Sequence, residues 1–431
     1  MALHTRDKTE TVLAMVGLPA RGKTYIAAKV ARYLRWIGHN TRTFNVGSYR
    51  RRLLGSRQTH EFFDHENIEA RQALLDMAMV ALDDMLAWFR DGGEVGIYDA
   101  TNSTRARRKL VTDRCRERGV PVVFIESVCN DPSVIEANVR ETKLKSPDYE
   151  DTDPDEAVRD FRARIAHYEA IYEPLDDPDA SYIKIIDVGR QLVLNRISGY
   201  LPARLAPLLI DMHVTPRPIF LTRHGESVYN EKGLIGGDSE LSPRGEEYAK
   251  SLAEFMRMEL PWSSPLAVWT STLRRTIQTA LPLTKNPRTW RALDEIDAGV
   301  CDGMTYEEIR ARMPEIFAAR AADKFRYRYP RGESYEDVIQ RLDPLLIHLE
   351  RQRAPVLVIA HQAVLRALYA YFMDLPSSEC SRLPIPLHTI IRLTPTAYGC
   401  EERRFPLPPQ ISPARQNAPS EVPPASEWPC D

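Results

Sequence analysis

The segment Gly17-Leu-Pro-Ala-Arg-Gly-Lys-Thr24 constrains this chain more than any other, because it matches the phosphate-binding pattern G-x-x-x-x-G-K-[ST] at every fixed position. It follows an apolar run at 12–16 and precedes Ile26, Val30, Leu34 and Ile37, which share one helix face before Gly38 ends the helix. Alone, such a string also suits an ordinary glycine-rich turn. Strand, loop and helix in succession favour a nucleotide site, in which the turn between Gly17 and Gly22 presents backbone N–H groups to phosphates. Lys23 then reaches the outer phosphates and Thr24 offers its hydroxyl to Mg²⁺.

The rest of the first half repeats the strand and helix alternation. A short strand at 43–46 leads into the cationic Tyr49-Arg50-Arg51-Arg52, and a helical pattern over 64–90 carries Arg71 early. The next apolar strand delivers Asp99, the place where a phosphate-loop enzyme keeps the carboxylate that helps position Mg²⁺. A second basic cluster, Arg105 to Lys109, opens another helix. Asp131-Pro132 starts one bearing Asn138 and Lys143, and a helix over 153–172 sets Arg164 and Tyr168 four apart on one face. The strand at 182–186 reads as the last of this half, and 192–211 as helical. The economical fold is a mostly parallel, doubly wound sheet. So many cations beside a nucleotide loop ask for an anionic second substrate; aromatic residues suited to stacking bases are sparse there, which favours a small phosphorylated metabolite over nucleic acid.

At 431 residues the chain has room for two or three domains. A formal net charge of −2 gives no global attraction to nucleic acid or an anionic membrane. The polar start and the absence of a long apolar run predict a cytoplasmic protein, and six scattered cysteines without a C-x-x-C pair predict reduced thiols.

After prolines near 216–218 a fresh α/β pattern begins. One strand delivers Arg223-His224-Gly225-Glu226, with Asn230 and Gly236 in the loop beyond, and the run at 356–360 delivers His361-Gln362 ahead of a helix carrying Arg366. Two strand-end histidines in one sheet can converge on one phosphoryl group. A neutral imidazole attacks phosphorus, Arg223, Arg275 and the other imidazole spread the equatorial charge, and a carboxyl group protonates the leaving alcohol. The alternating Arg and Tyr of 325–330 fits a lid over a sugar phosphate better than a single-strand nucleic-acid platform. The strand at 389–393 reads as the last, and 405–431 as a disordered, proline-rich tail.

These motifs, in this order, resemble the bifunctional 6-phosphofructo-2-kinase/fructose-2,6-bisphosphatase family over residues 12–401. The likeness rests on long strings, among them Phe44-Asn-Val-Gly47, Asp99-Ala-Thr-Asn102, Ser146-Pro-Asp-Tyr149, Arg223-His-Gly-Glu-Ser227 and Glu295-Ile-Asp-Ala-Gly-Val-Cys301. The resemblance implies a phosphate-loop kinase domain over 1–212, then a phosphoglycerate-mutase-like histidine phosphatase domain over 213–404, in a homodimer. It implies that fructose 6-phosphate is held by Arg50, Arg71, Thr101, Arg107, Lys143, Arg164 and Tyr168. Lys23, Thr24 and Asn138 go to ATP and Mg²⁺, and Asp99 and Cys129 fall at active positions. In the second half it makes His224 the nucleophile, Glu295 the acid and His361 the second imidazole, without a cofactor. Arg223, Asn230, Gly236 and Arg275 hold the reacting phosphate, and Tyr306, Arg320, Lys324, Tyr335, Gln362 and Arg366 the sugar bisphosphate.

The ends depart from the family pattern. About ten residues precede the first strand, and the tail lacks an Arg-Arg-x-Ser site, so regulation by a basophilic kinase is not expected. A kinase and phosphatase of polynucleotide ends, or a family member that has lost one activity, are the rival readings.

Overall fold

The computed structural model describes residues 10–140, 147–150, 152–210, 217–261, 265–396 and 399–407. Internal contacts divide the chain into two units, Met1–Val214 and Thr215–Asp431; the expected boundary at 212/213 lies outside the described residues.

In the first unit the strands β1 (Thr11–Val16), β2 (Thr41–Asn45), β3 (Val95–Asp99), β4 (Val122–Val128), β5 (Tyr182–Ile186) and β6 (Gln191–Asn195) form one sheet in the order β2-β3-β1-β4-β5-β6. β1 is central, parallel to β3 and β4, and Val12 to Val16 are fully buried, as a strand covered on both faces requires. The helix Lys23–Trp36 packs back on this sheet with Ile26, Val30 and Leu34 buried, as their spacing predicts.

Two expectations fail here. Residues 192–195 belong to β6, antiparallel to β5, and the helix that follows is only Tyr200–Ile210. Leu192-Val-Leu194 is too short a run to fix a period, and the deciding signal is the turn before it. There Asp187, Val188 and Gly189 all take positive φ (48°, 57° and 87°), reversing the chain into a hairpin. The strand at 182–186 is therefore not the last of its half.

The second unit holds β7 (Ile219–Arg223), β8 (Ala267–Thr270), β9 (Arg288–Thr289), β10 (Val356–Ala360), β11 (Thr389–Pro395) and β12 (Cys400–Pro406), in the order β12-β11-β7-β10-β8-β9. The neighbours β7 and β10 are parallel and in register, Arg223 opposite Ala360, so both end at the same level. The strand at 389–393 is again not the last. β12 folds back on β11 with Pro406 opposite Thr389, and the Phe405 ring lies 4.9 Å from that of Phe255. Residues 405 and 406, expected in the tail, belong to this edge strand, because an aromatic anchor and an edge position tolerate the proline; 408–431 lie outside the described residues.

Candidate active sites

The first site forms at the C-terminal ends of β1 and β3. Gly17 has φ +133°, and a Cβ there would stand 2.6 Å from the Ser127 carbonyl oxygen, so only glycine fits. Its N–H donates to the Thr101 carbonyl (3.0 Å), which ties the loop to the turn after β3. Gly22, at φ 81°, caps the helix that begins with Lys23 and Thr24. Lys23 Nζ donates to the Leu18 carbonyl (2.6 Å), and Asn138 Nδ2 to that of Ala20 (3.0 Å), so both curl over the loop. Cys129, buried, lines an apolar cavity behind the loop with Tyr25, Ile26, Ile185 and Leu209.

Asp99 is buried at the end of β3 and accepts from Asn45 Nδ2 (2.5 Å), while Asn45 Oδ1 caps the next helix through Ser48 N–H. A hydroxyl at Thr24 and a carboxylate at Asp99 are hard oxygen donors, the set that suits Mg²⁺. Residue-level reasoning passed over Asn45; the only signal for it was its place at a strand end ahead of a helix.

Beside this lies a cluster of three guanidinium groups around one carboxylate. Arg50 Nη2 donates to both oxygens of Asp148 (2.6 and 2.5 Å), and Arg51 and Arg164 each approach it at 3.7 Å. Three positive charges facing one negative charge leave a net excess in a largely buried pocket, where screening is weak. Burial pulls the Arg51 guanidinium below its usual range, partly offset by Asp148. Phe63 floors the pocket, 3.6 Å from the Arg164 guanidinium and 6.3 Å from the Tyr168 ring. Arg107 Nη2 donates to Tyr98 Oη (2.9 Å), and its Nη1 is buried without a partner. Arg71 is exposed one turn into the helix Ile68–Arg90, and Lys143 lies outside the described residues.

The second site is built on the paired ends of β7 and β10. His224 and His361 each follow their strand by one residue, and their rings stand 5.1 Å apart. The Gly of the motif is structural, since a Cβ on Gly225 would meet the Gly245 carbonyl oxygen at 2.4 Å. The Gly225 carbonyl accepts from His224 Nδ1 (2.7 Å), which fixes that nitrogen as the N–H and leaves Nε2 with its lone pair. Arg275 Nε donates to Nε2 (3.2 Å). Burial first, then Arg275 and Arg223, hold the imidazole well below the usual histidine range. His361, also lowered by burial and Arg275, pairs through Nε2 with Ser271 Oγ (2.8 Å), while its Nδ1 is buried and unpartnered. Burial likewise pushes Arg223 down to about 10, against the raising effect of Glu295, and its Nε has no partner. Unpaired donors round a neutral imidazole form a seat for a multiply charged anion.

Glu295 Oε1 accepts from Ile296 N (2.9 Å) and Ala363 N (3.3 Å), and Arg341 braces the same loop through the carbonyls of Ala292, Asp294 and Glu295. Around the rim Arg366 donates to Tyr335 Oη (3.1 Å) and Arg320 to Tyr306 Oη (3.1 Å). Gln362 opens the helix after His361. Lys324 lies in the turn after the helix Pro314–Ala322, Asn230 caps through Ser227 (3.0 Å), and Gly236 must be glycine because a Cβ would overlap Asp302. Ser271 and Arg341 carried no local signal for their roles; only the fold brings them to His361 and Glu295.

A strand-loop-helix phosphate site and a strand-end histidine pair define the class, a phosphate-loop kinase domain followed by a histidine phosphatase domain. Residues 1–216 match the family model 6-phosphofructo-2-kinase, and 219–406 the histidine phosphatase superfamily, branch 1. The chain is 53% identical over 395 residues to the chicken (Gallus gallus) 6-phosphofructo-2-kinase/fructose-2,6-bisphosphatase, covering 91% of this chain and 83% of that one. It is 52% identical over 411 residues to the Arabidopsis thaliana protein of the same name, with 94% of this chain covered and 55% of the longer relative. The α-ribazole phosphatase of Shigella flexneri is 22% identical and aligns on 45% of this chain and 98% of its own, with a TM-score of 0.40. The chain belongs to the 6-phosphofructo-2-kinase/fructose-2,6-bisphosphatase family, and it carries both domains that synthesis and hydrolysis of fructose 2,6-bisphosphate require.

Proposed function

We propose that the first unit transfers the γ-phosphoryl of ATP to the 2-hydroxyl of fructose 6-phosphate, and that the second removes that phosphate through a phosphohistidine at His224. In the first reaction Lys23 neutralises charge on the transferring group, and Arg50, Arg71, Thr101, Arg107, Lys143, Arg164 and Tyr168 orient the sugar. Positioning and charge neutralisation carry most of such a transfer. Thr24 and Asp99 would hold Mg²⁺, which would supply further neutralisation of the phosphates.

In the second reaction His224 Nε2 forms a bond to phosphorus while the phosphorus–oxygen bond to sugar C2 breaks. Glu295 gives its proton to the departing oxygen and then takes one from the water that attacks the phosphohistidine. Arg223, Arg275 and His361 hold the equatorial oxygens, as Asn230 and the Gly236 turn close the pocket. Tyr306, Arg320, Lys324, Tyr335, Gln362 and Arg366 grip the sugar bisphosphate. The observation that carries this reading is the His224 ring, locked by Gly225 with Nε2 directed at Arg275. Domains divided at 212/213, a cytoplasmic location and a homodimer belong to the same proposal. Among the described residues no helix is long and apolar enough to cross a membrane.

The test uses one purified sample of the full chain. With γ-labelled ATP and fructose 6-phosphate, the label is expected at the sugar 2-position. With 2-labelled fructose 2,6-bisphosphate, it is expected transiently on the protein in an acid-labile bond. Label that reaches neither overturns the reading.

A further inference from the structure

A cluster of imidazole and carboxylate groups lies outside the chemistry above. The segment after the short helical turn His60–Phe63 supplies Asp64 and His65, and the helix Pro154–Ala170 supplies His167. Asp64 Oδ1 stands 3.4 Å from His65 Nδ1 and 3.6 Å from His167 Nδ1, and one ligand atom from each of the three lies within 4.8 Å of the others. Metal–ligand bonds of about 2.0–2.1 Å at a tetrahedral centre put ligand atoms roughly 3.3–3.4 Å apart. The two distances to Asp64 Oδ1 come close to that spacing.

The surroundings point the same way. His167 faces Asp64 with Nδ1, and its other nitrogen, Nε2, pairs with His60 Nδ1 at 3.2 Å, the two rings being nearly parallel. A metal-bound histidine characteristically uses its second nitrogen for such a bond, which fixes the ring and its tautomer. His60 is itself anchored, since its backbone N–H donates to Asp160 (2.8 Å), whose other oxygen accepts from Tyr149 Oη (2.6 Å). Asp64 is oriented by the Glu66 N–H (3.0 Å). All three donors remain partly open to solvent, which leaves an entry path.

We propose that Asp64, His65 and His167 form a binding site for a divalent transition metal of the zinc type, with His60 as the outer partner of His167. Two imidazoles and one carboxylate select such an ion over Mg²⁺ or Ca²⁺, which favour oxygen donors. The fourth position is left to water. The ion joins the segment following Phe63 to the helix bearing Arg164 and Tyr168, so it stiffens one wall of the cationic pocket. That consequence rests on the reading of the pocket as the sugar phosphate site.

The probe is Co²⁺, titrated into metal-free full chain and followed by visible absorption, then displaced by Zn²⁺ or challenged with Mg²⁺. Wild type is expected to bind one equivalent more than Asp64→Ala, His65→Ala or His167→Ala, Zn²⁺ to displace it and Mg²⁺ not to. His60→Ala should keep the equivalent but bind roughly 10-fold or more weakly. Equal stoichiometry in wild type and the three variants, each shown folded by its metal-free melting curve, overturns the site. In the kinase assay Zn²⁺ should lower the KM for fructose 6-phosphate at least about twofold in wild type and leave it unchanged in His65→Ala. Metal binding with an unmoved KM overturns the link to the pocket alone. Absence of kinase activity in wild type free of Zn²⁺ and Co²⁺ but supplied with Mg²⁺ and ATP counts instead against the reading of the pocket.

Discussion

The two sites occupy the same station in their sheets, beyond the C-terminal ends of neighbouring parallel strands, yet they are held differently. In the phosphatase unit the reacting ring is fixed before any ligand arrives, with His224 bonded to Gly225 and Arg275 and buried donors of Arg223 and His361 unpaired. In the kinase unit several ligand-facing groups rest on the protein itself, Lys23 on Leu18, Asn138 on Ala20 and Arg50 on Asp148, while Arg107 Nη1 is buried without a partner. Covalent catalysis needs its nucleophile aimed within a fraction of an ångström, which rigid strand ends provide. Direct phosphoryl transfer between two bound substrates needs groups that swing onto phosphates once these arrive, and flexible Lys and Arg side chains resting on carbonyls and carboxylates can do so.

The largest test of that contrast is His224→Ala. Loss of the nucleophile should lower phosphatase turnover by about four orders of magnitude or more and abolish the phosphoenzyme, with kinase turnover unchanged. Both activities falling together in a folded variant would break the separation. Lys23→Met should do the converse, cutting kinase turnover roughly a thousandfold, the scale of removing one charge-stabilising group, with the phosphoenzyme intact.

A smaller effect probes preorganisation. Arg341 touches no reacting atom in this reading but braces the loop of Glu295 through three carbonyls. Arg341→Ala should lower phosphatase kcat about 10-fold at nearly constant KM, because a displaced acid affects the transition state more than binding. Arg341→Lys should recover part of the loss, and kinase kinetics should not move.

The smallest effect is on pH. Because burial and nearby guanidinium groups hold His224 and His361 well below the usual histidine range, both stay neutral where an ordinary histidine would charge. Phosphatase kcat/KM should therefore show no loss from nucleophile protonation between about pH 7.5 and 6, measured by release of phosphate. Stability moves the other way. Below about pH 6.5 the unfolded chain binds protons that these folded histidines refuse, and His388, lowered by burial to about 4, adds to this. The melting temperature of the phosphatase unit should accordingly fall as pH drops from about 6.5 toward 4.

The chain's local patterns carried far because both sites sit at strand ends, where a short string fixes strand, turn and helix together. Gly17 to Thr24 and Arg223 to Glu226 could each be read as a site on that ground, and the structure gives Gly17 and Gly225 a physical reason in carbonyl oxygens 2.6 and 2.4 Å from where a Cβ would stand. Local reading failed at β6 and β12, where a three-residue apolar run and a proline-rich stretch are ambiguous in period and pairing with the preceding strand depends on the turn between them. It also gave no hint of Asp148 as the shared counter-ion of three arginines, of Ser271 beneath His361, or of Arg341 behind Glu295. Those pairings span tens of residues, and no periodicity encodes them.

By itself, then, the sequence determined the kinds of chemistry and the order of the two units, since phosphate loops and strand-end histidines are local objects whose geometry follows from a few adjacent residues. Tertiary structure alone decided that Arg275 meets Nε2 of His224, how three arginines share one carboxylate, and that His167 meets Asp64 and His65. Each of these depends on through-space distances of 2.5 to 3.7 Å between groups that the fold, not the chain order, makes neighbours.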